Sequence, residues 1–488
     1  MSQYVRYRYL CFFLSTFLMF LDACSRYIGP LAMIGGMVKK NCSDMEDRGE
    51  LCWSDKMQAS FIGAYFYGYA LQMVTVHVAA KVGFNTSIRA ATLVSGVIQL
   101  TGPLTARYSG VLAAVLQGVK GLAAGLFMAG NYECARKWSQ GEEGKVLISL
   151  GGTMLYAGFG AGPFTVGLLT EHVGWEYPFY ISGGVFLLLL LMQCIFMPDE
   201  PSEAWFMSES EKLMFRKKKE EETRAKSDDI AAQYKVSMVC ILQRCYLYCV
   251  CIYLVSFLFV TYPEQVVIPF YYNEVLSADT VFLSYMQLGL SLTTVVASVC
   301  WKLLLPVFDK RISWLKCRMG LMSIPQIIRS ANLALVPFTD DIRVSVALLV
   351  VNNLLVGSLY AGGIMTLIYE LDPYNGPVVV GLCNGVGQAA GILLPLIRAE
   401  VVREGEWGEN EVRWRWFFVS CGVMGLLGVI SVAVGVVGRR TEWRVHPSLV
   451  EQISPGLTTR QNSGEGGRNR QCSSSMTVLY EAVSTADS

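Results

Sequence analysis

Twelve apolar windows of about twenty residues, separated by short polar stretches, leave this chain few folds to adopt. A helix crossing the hydrocarbon core of a bilayer needs about 20 residues at roughly 1.5 Å rise each. Only helices and closed barrels satisfy their own backbone polar groups there. The windows lie at 9–37, 58–80, 90–106, 110–133, 146–170, 177–197, 238–262, 280–305, 315–338, 343–369, 376–398 and 415–437. With 53% hydrophobic and 16% charged residues, the chain reads as an all-α polytopic membrane protein of about 12 transmembrane helices in two six-helix bundles. Arg6 and Arg8 precede the first apolar run as in a signal peptide, but the run continues past Cys24 to Met37 without a small-residue cleavage site, and we read a retained span.

A charged stretch, "DEPSEAWFMSESEKLMFRKKKEEETRAKSDD", separates the first six windows from the last six. The expected organisation is an N-terminal six-helix bundle at 1–197, a cytoplasmic central loop at 198–237, a C-terminal six-helix bundle at 238–438 and a disordered cytoplasmic tail at 439–488. The halves echo each other. Phe179, Tyr180, Ser182, Gly184 and Val185 enter the sixth window with the spacing of Phe417, Phe418, Ser420, Gly422 and Val423 entering the twelfth. A repeat of this kind describes two bundles related by an axis along the membrane normal, with a solute site between them near the midplane.

Lys81, Arg89, Arg136, Lys137, Lys145, Lys310, Arg311, Lys316 and Arg318 fall in loops on one side of this layout, while the opposite loops at 171–176 and 263–279 carry acids and no Lys or Arg. The positive-inside rule then puts both termini in the cytoplasm. The long loop after the first window holds Cys42 and Cys52 beside the sequon at Asn41, which predicts a disulfide and a glycan on the luminal or extracellular side. The tail contains "YEAV", with Tyr480 and Val483 in a tyrosine-x-x-hydrophobic sorting pattern. The membrane expected is the plasma membrane or an endolysosomal or vesicular one.

Two ionisable residues interrupt the first window in "FLMFLDACSRYIGPLAMIGG". Charge in the hydrocarbon region is costly and marks a task or a partner. Asp22 and Arg26 stand at i, i+4 and can pair with each other, or Arg26 can face a central cavity and take a carboxylate or phosphate in a bidentate fork, with Asp22 as an ion-coupling carboxylate. Lys120 is the second candidate cation. Tyr65, Gln72 and Asn384 are candidate cavity-lining contacts, alongside Phe66, Tyr67 and Tyr69. Glu264 and Arg329 are expected near helix ends or snorkelling to the interface.

Much is excluded. "GEEGKV" lacks the spacing and the Ser/Thr of a phosphate-binding loop, so ATP-driven transport has no support. His77, His172 and His446 are far apart in the sequence, without metal-ligand spacing or a nucleophile elbow, and neither an enzyme, a metal site nor a cofactor is expected. The formal net charge of +1 argues for no nucleic-acid partner.

Several patterns occur in a telling order: "SRYIGPLAMIGGM", "SFIGAYFYGYALQ", "LQGVKGLAAG", "GWEYPFYISGG", "EPSEAWFMSESEK" and "GLCNGVGQAAGILLP". From about residue 8 to about 437 the chain resembles the anion/cation symporters of the major facilitator superfamily, which include vesicular glutamate transporters, sialin and sodium/phosphate cotransporters. The resemblance implies a major facilitator fold and symport of a small organic or inorganic anion by alternating access, coupled to H+ or Na+, in a monomer. It also implies that Arg26 matches the family's substrate-recognising arginine. The chain departs from that pattern at Ile62, where vesicular glutamate carriers have a histidine, at Ala114 and Gly121, where they pair an arginine and a glutamate, and at Phe257, where they have an arginine. The alternative that these losses raise is a transporter-fold sensor or scaffold without coupled transport.

Overall fold

The computed structural model describes residues 7–39, 42, 49–139, 143–201, 204–205, 207–227, 245–312, 314–339, 341–362, 376–401 and 407–438. Its helices form twelve rods, numbered here as spans. Span 1 is Tyr7–Met37, span 2 is Asp55–Ala70 continued by Gln72–Val82, span 3 is Phe84–Tyr108, span 4 is Gly110–Trp138, span 5 is Glu143–His172 and span 6 is Tyr177–Phe196. Span 7 joins Cys245–Tyr262 to Ile268–Glu274, span 8 is Thr280–Arg311, span 9 is Trp314–Leu335, span 10 is Ile342–Gly362, span 11 joins Gly376–Gly387 to Ala389–Val401, and span 12 is Trp407–Gly438. Nine of these are long and apolar enough on their own to cross a membrane; spans 2, 3 and 9 are not. Span 2 is broken at Leu71 into helices of 16 and 11 residues, and span 9 carries Lys316, Arg318, Gln326 and Arg329.

The internal echo has a spatial counterpart. Span 6 packs on span 3 as span 12 packs on span 9, and the span 2–span 4 pair is matched by span 8–span 10. Ser182 of span 6 accepts from Gln99 of span 3 at 3.0 Å. Gly422, two residues after Ser420, the serine that matches Ser182, lies close to the Ser330 carbonyl of span 9. Spans 1 and 7 each carry a five-residue π-helical segment: Met33–Met37 ends span 1, and Pro263–Val267 lies inside span 7. The halves meet where span 5 packs on span 8 and span 2 on span 11.

Small residues set these distances. A Cβ on Gly121 of span 4 would collide with the Tyr65 carbonyl of span 2, and a Cβ on Gly68 with that of Gly118. Glycine therefore lets the two backbones touch, the usual route to tight packing where lipid offers no hydrophobic drive. Leu104, Val111, Leu303 and Ile430 are well exposed on the outer faces, as a lipid-facing belt requires.

Two expectations are corrected. The seventh window, read as 238–262, is helical from Cys245 and runs on to Glu274, so most of 263–279 is span rather than loop; Pro263, which lacks an N–H, is accommodated at the start of the π-helical segment. Glu264 and Arg329 do not sit at helix ends or reach the interface. Their side chains are 5% and 0% exposed and pair with each other at 2.9 Å inside the C-terminal half.

Candidate functional site

Asp22 and Arg26 lie one turn apart on span 1 and project from one face. Arg26 Nη2 donates to Asp22 Oδ2 at 2.8 Å, and the Tyr65 hydroxyl donates to Oδ1 at 3.0 Å. The pair is sealed from solvent, at 5% and 4% exposure. Three rings enclose the guanidinium, with centroids 4.9 Å away for Tyr65, 4.9 Å for Tyr69 and 5.6 Å for Phe159. Desolvated cation–π contacts are worth about 2 kcal/mol or more, so the aromatic run of span 2 offsets part of the cost of burying this charge. Tyr67 of the same run points outward and is half exposed, as helical spacing dictates.

Lys120 approaches from span 4. It is fully buried, its Nζ donates to the Ser25 carbonyl at 3.0 Å, and it stands 5.7 Å from the Tyr65 centroid. Beside this cluster opens a narrow cleft, walled by Arg26, Tyr27, Ile62, Tyr65 and Gln117 from one half and by Val266 of span 7 from the other. Arg26 Nε has no hydrogen-bond acceptor among the described residues.

A polar bridge joins this cluster to the second half. Asn384 Nδ2 of span 11 donates to Gln72 Oε1 at 2.9 Å and to the Tyr69 hydroxyl at 3.1 Å. Gln388, one turn on, donates to Asn384 Oδ1 at 3.1 Å and accepts from the Tyr262 hydroxyl. Tyr27 donates to Gln265 Oε1 at 2.5 Å. Thus Asp22, Arg26, Lys120, Tyr65, Gln72 and Asn384 converge on one place. The sequence reading missed Tyr27, Tyr262, Gln265 and Gln388. Gln388 carried a signal, since it repeats the polar position of Asn384 four residues later on an otherwise small and apolar helix.

The departures from the symporter pattern have structural reasons at two positions. Gly121 has no room for the glutamate of the resembled carriers, because the Tyr65 carbonyl occupies that space. Phe257 lies beneath another cation, with the Arg329 guanidinium 5.1 Å from its ring. Ile62 is a buried part of the cleft wall.

At the end of the molecule bearing the long loop, Cys42 and Cys52 are bonded, with Cα atoms 5.6 Å apart. The same loop is anchored through Glu50, which accepts from Arg107 Nη2 at 2.9 Å and from Trp175 Nε1 at 2.9 Å; Arg107 also pairs with Glu176. Arg107 foremost, with the Trp175 hydrogen bond, holds the Glu50 carboxyl below the usual carboxylate range against its partial burial. At the opposite end, Arg8 pairs with Glu143 at 2.9 Å, Glu133 with Arg136 at 2.7 Å, and Asn85 donates to the Pro198 carbonyl at 2.7 Å. The charged segment between the halves includes a helix, Glu209–Ser227, whose Phe215 packs edge-on against Trp138 of span 4. Asn41, Tyr480 and Val483 lie outside the described residues. No cluster of His, Cys, Asp and Glu able to hold a metal occurs among the described residues.

Residues 10–395 match the model of the Major Facilitator Superfamily. The chain is 22% identical over 421 residues to a potential vesicular glutamate transporter, vglu-3, of Caenorhabditis elegans, covering 83% of this chain and 74% of that one. It is 22% identical over 416 residues to sodium-dependent phosphate transport protein 3 of Mus musculus, covering 82% and 83%. In fold it is similar to a crystal structure of a D-xylose-proton symporter, with a TM-score of 0.59 at 11% identity, over 87% of this chain and 96% of that one. The fold and the paired halves define a secondary transporter rather than an enzyme. The chain belongs to the major facilitator superfamily.

Proposed function

We propose that the chain carries a small organic or inorganic anion by alternating access, with the anion held between Arg26 and Lys120. The observation that carries this reading is a charge count in a dry place. At full ionisation two buried cations face one carboxylate, Asp22, and Lys120 donates to a neutral carbonyl, that of Ser25. An uncompensated charge is expensive at low dielectric, and an anion entering the cleft beside Arg26 completes the balance. The names of the relatives, a glutamate carrier and a phosphate carrier, are consistent with an anionic solute. Gln72 and Asn384 would orient it from the two halves, and Tyr65 would hold Arg26 in place.

Asp22 is the coupling carboxylate in this reading. Its oxygens are engaged by Arg26 and Tyr65, an arrangement that suits exchange of a proton better than an oxygen cage for Na+, which needs several free oxygens. Protonation of Asp22 would release Arg26 to the anion. The disulfide-bearing end would face the lumen or exterior, with Asn41 glycosylated there. The end bearing Arg8, Arg89, Arg136 and Lys137 would face the cytoplasm, with both termini and the Tyr480–Val483 signal. The protein would act as a monomer in the plasma membrane or an endolysosomal or vesicular membrane.

The test is anion binding to purified protein in detergent. Glutamate, sialic acid, urate and inorganic phosphate are titrated while the unfolding temperature is followed. A specific anion should raise that temperature in the wild type and not in Arg26→Ala. Equal stabilisation of the variant would remove Arg26 from the site.

A further inference from the structure

Glu264 is a second buried carboxylate that the anion site does not use. It sits in the π-helical segment of span 7, and π-helical insertions recur at functional sites. Its Oε2 accepts from Arg329 Nη2 of span 9 at 2.9 Å, and its Oε1 accepts from Asn352 Nδ2 of span 10 at 2.6 Å. Gln287 of span 8 donates to its backbone carbonyl at 3.3 Å, and Thr261 accepts from Arg329 at 3.1 Å. Among the described residues Arg329 is the charged group that reaches Glu264. The groups presented by spans 8 and 10, Gln287 and Asn352, are neutral. On span 1, Tyr27 is bonded to the adjacent Gln265.

Three features separate this cluster from an inert structural pair. Arg329 is fully buried, yet its Nε and Nη1 have no acceptor among the described residues, so half of the guanidinium fork is open. Asn352 is an amide whose Nδ2 donates to Glu264 and to the Arg329 carbonyl while its Oδ1 accepts from Asn332 at 2.9 Å; a half-turn, with Asn332 turning in step, would let it accept from a carboxylic acid instead. The π-helical segment that points Glu264 into the C-terminal half also points Gln265 at Tyr27, the residue next to Arg26.

We propose that Glu264 is a proton-exchange site of the C-terminal half, communicating with the Arg26 site through the Pro263–Val267 segment and the Tyr27–Gln265 bond. The carboxylate takes a proton from hydronium, leaving water and a neutral acid; Arg329 keeps its charge and loses its counter-ion. The segment is then free to shift register, moving Gln265 and with it Tyr27 beside Arg26. Return of the proton to water on the other side of the membrane restores the pair. This inference rests on the reading of the chain as an ion-coupled carrier.

The experiment is acid-minus-neutral infrared difference spectroscopy on the full chain in lipid, with hydrogen–deuterium exchange of the same samples. Wild type should gain buried carboxylic-acid C=O intensity on acidification with two components, one missing from E264Q and kept in D22N, the other, from Asp22, lost in D22N and kept in E264Q. Exchange in the segments around Tyr27 and Gln265 should rise with acid in the wild type and stay flat in E264Q. E264Q/R329Q, which removes both buried charges, carries the same test if the single variant misfolds. A difference spectrum unchanged in E264Q, with all of the buried-acid intensity lost in D22N, overturns the proposal while leaving the anion site standing. Loss of the first component in E264Q from a protein that binds no anion supports this site and sinks the anion reading instead.

Discussion

Lys120 Nζ reaches the Ser25 carbonyl at 3.0 Å, so a fully buried lysine of span 4 is tied to the backbone one residue before Arg26. This contact places two cations around one turn of span 1. With Lys120 protonated, the site holds one positive charge more than Asp22 balances.

That excess charge predicts a trade between stability and function. Lys120→Met keeps an unbranched side chain, one atom shorter, and removes the charge; a buried ion without its own counter-ion costs free energy that the substitution relieves. The unfolding temperature without ligand should hold or rise, while anion-induced stabilisation disappears. Calorimetry or a thermal-shift assay with and without the anion reads both effects.

Arg26→Lys should behave as a loss rather than a conservative change. Lysine cannot keep the hydrogen bond to Asp22, stack flat on Tyr65 and Tyr69 and offer a further donor to an anion at once. Loss of one charge-assisted hydrogen bond to the anion, worth about 1.5–3 kcal/mol, corresponds to a drop in anion affinity of roughly 10- to 150-fold, measurable by titration.

The glycine contacts predict a pattern across one residue type. Gly68→Ala and Gly121→Ala should each destabilise by about 1–3 kcal/mol, the usual cost of overpacking, because the added methyl meets backbone of the neighbouring span. Gly184→Ala, with nothing within 4 Å of its Cβ position, should be neutral. Relative unfolding temperatures in one detergent decide it.

Acid should loosen the loop that carries the disulfide. The Glu50 carboxyl has a folded-state pKa below its unfolded value because of Arg107. The stability it contributes is therefore present above the unfolded value of about 4.3 and is lost as pH falls through the lower folded value. Glu50→Gln should flatten the acid limb of the stability curve and change little at neutral pH, with a small amplitude because the pair is partly solvated.

The sequence carried the architecture well because twenty-residue apolar windows and the 3.6 period are local signals. It also located Asp22, Arg26 and Lys120, since charge in an apolar run is conspicuous. It misplaced Glu264 and Arg329 for a physical reason: each lies beside a polar or helix-breaking residue, Pro263 and Ser330, that reads as a span end, whereas their pairing joins spans 65 residues apart. The same holds for Tyr27–Gln265, which bridges 238 positions. No local pattern announces such contacts. Gly121 shows the converse, since its lost family acid looked like a change of chemistry and is also a demand of packing against Tyr65.

Transport itself is the most direct test of the central claim that Arg26 and Lys120 hold an anion between the halves. Radiolabelled glutamate, sialic acid, urate and phosphate are offered to proteoliposomes under imposed pH, sodium and voltage gradients, with wild type, Arg26→Ala and Lys120→Met compared at equal protein. The account predicts gradient-driven accumulation of at least one anion by the wild type and its loss in both variants. Uptake that survives Arg26→Ala, or a folded wild type that moves none of these anions under any gradient, would contradict it.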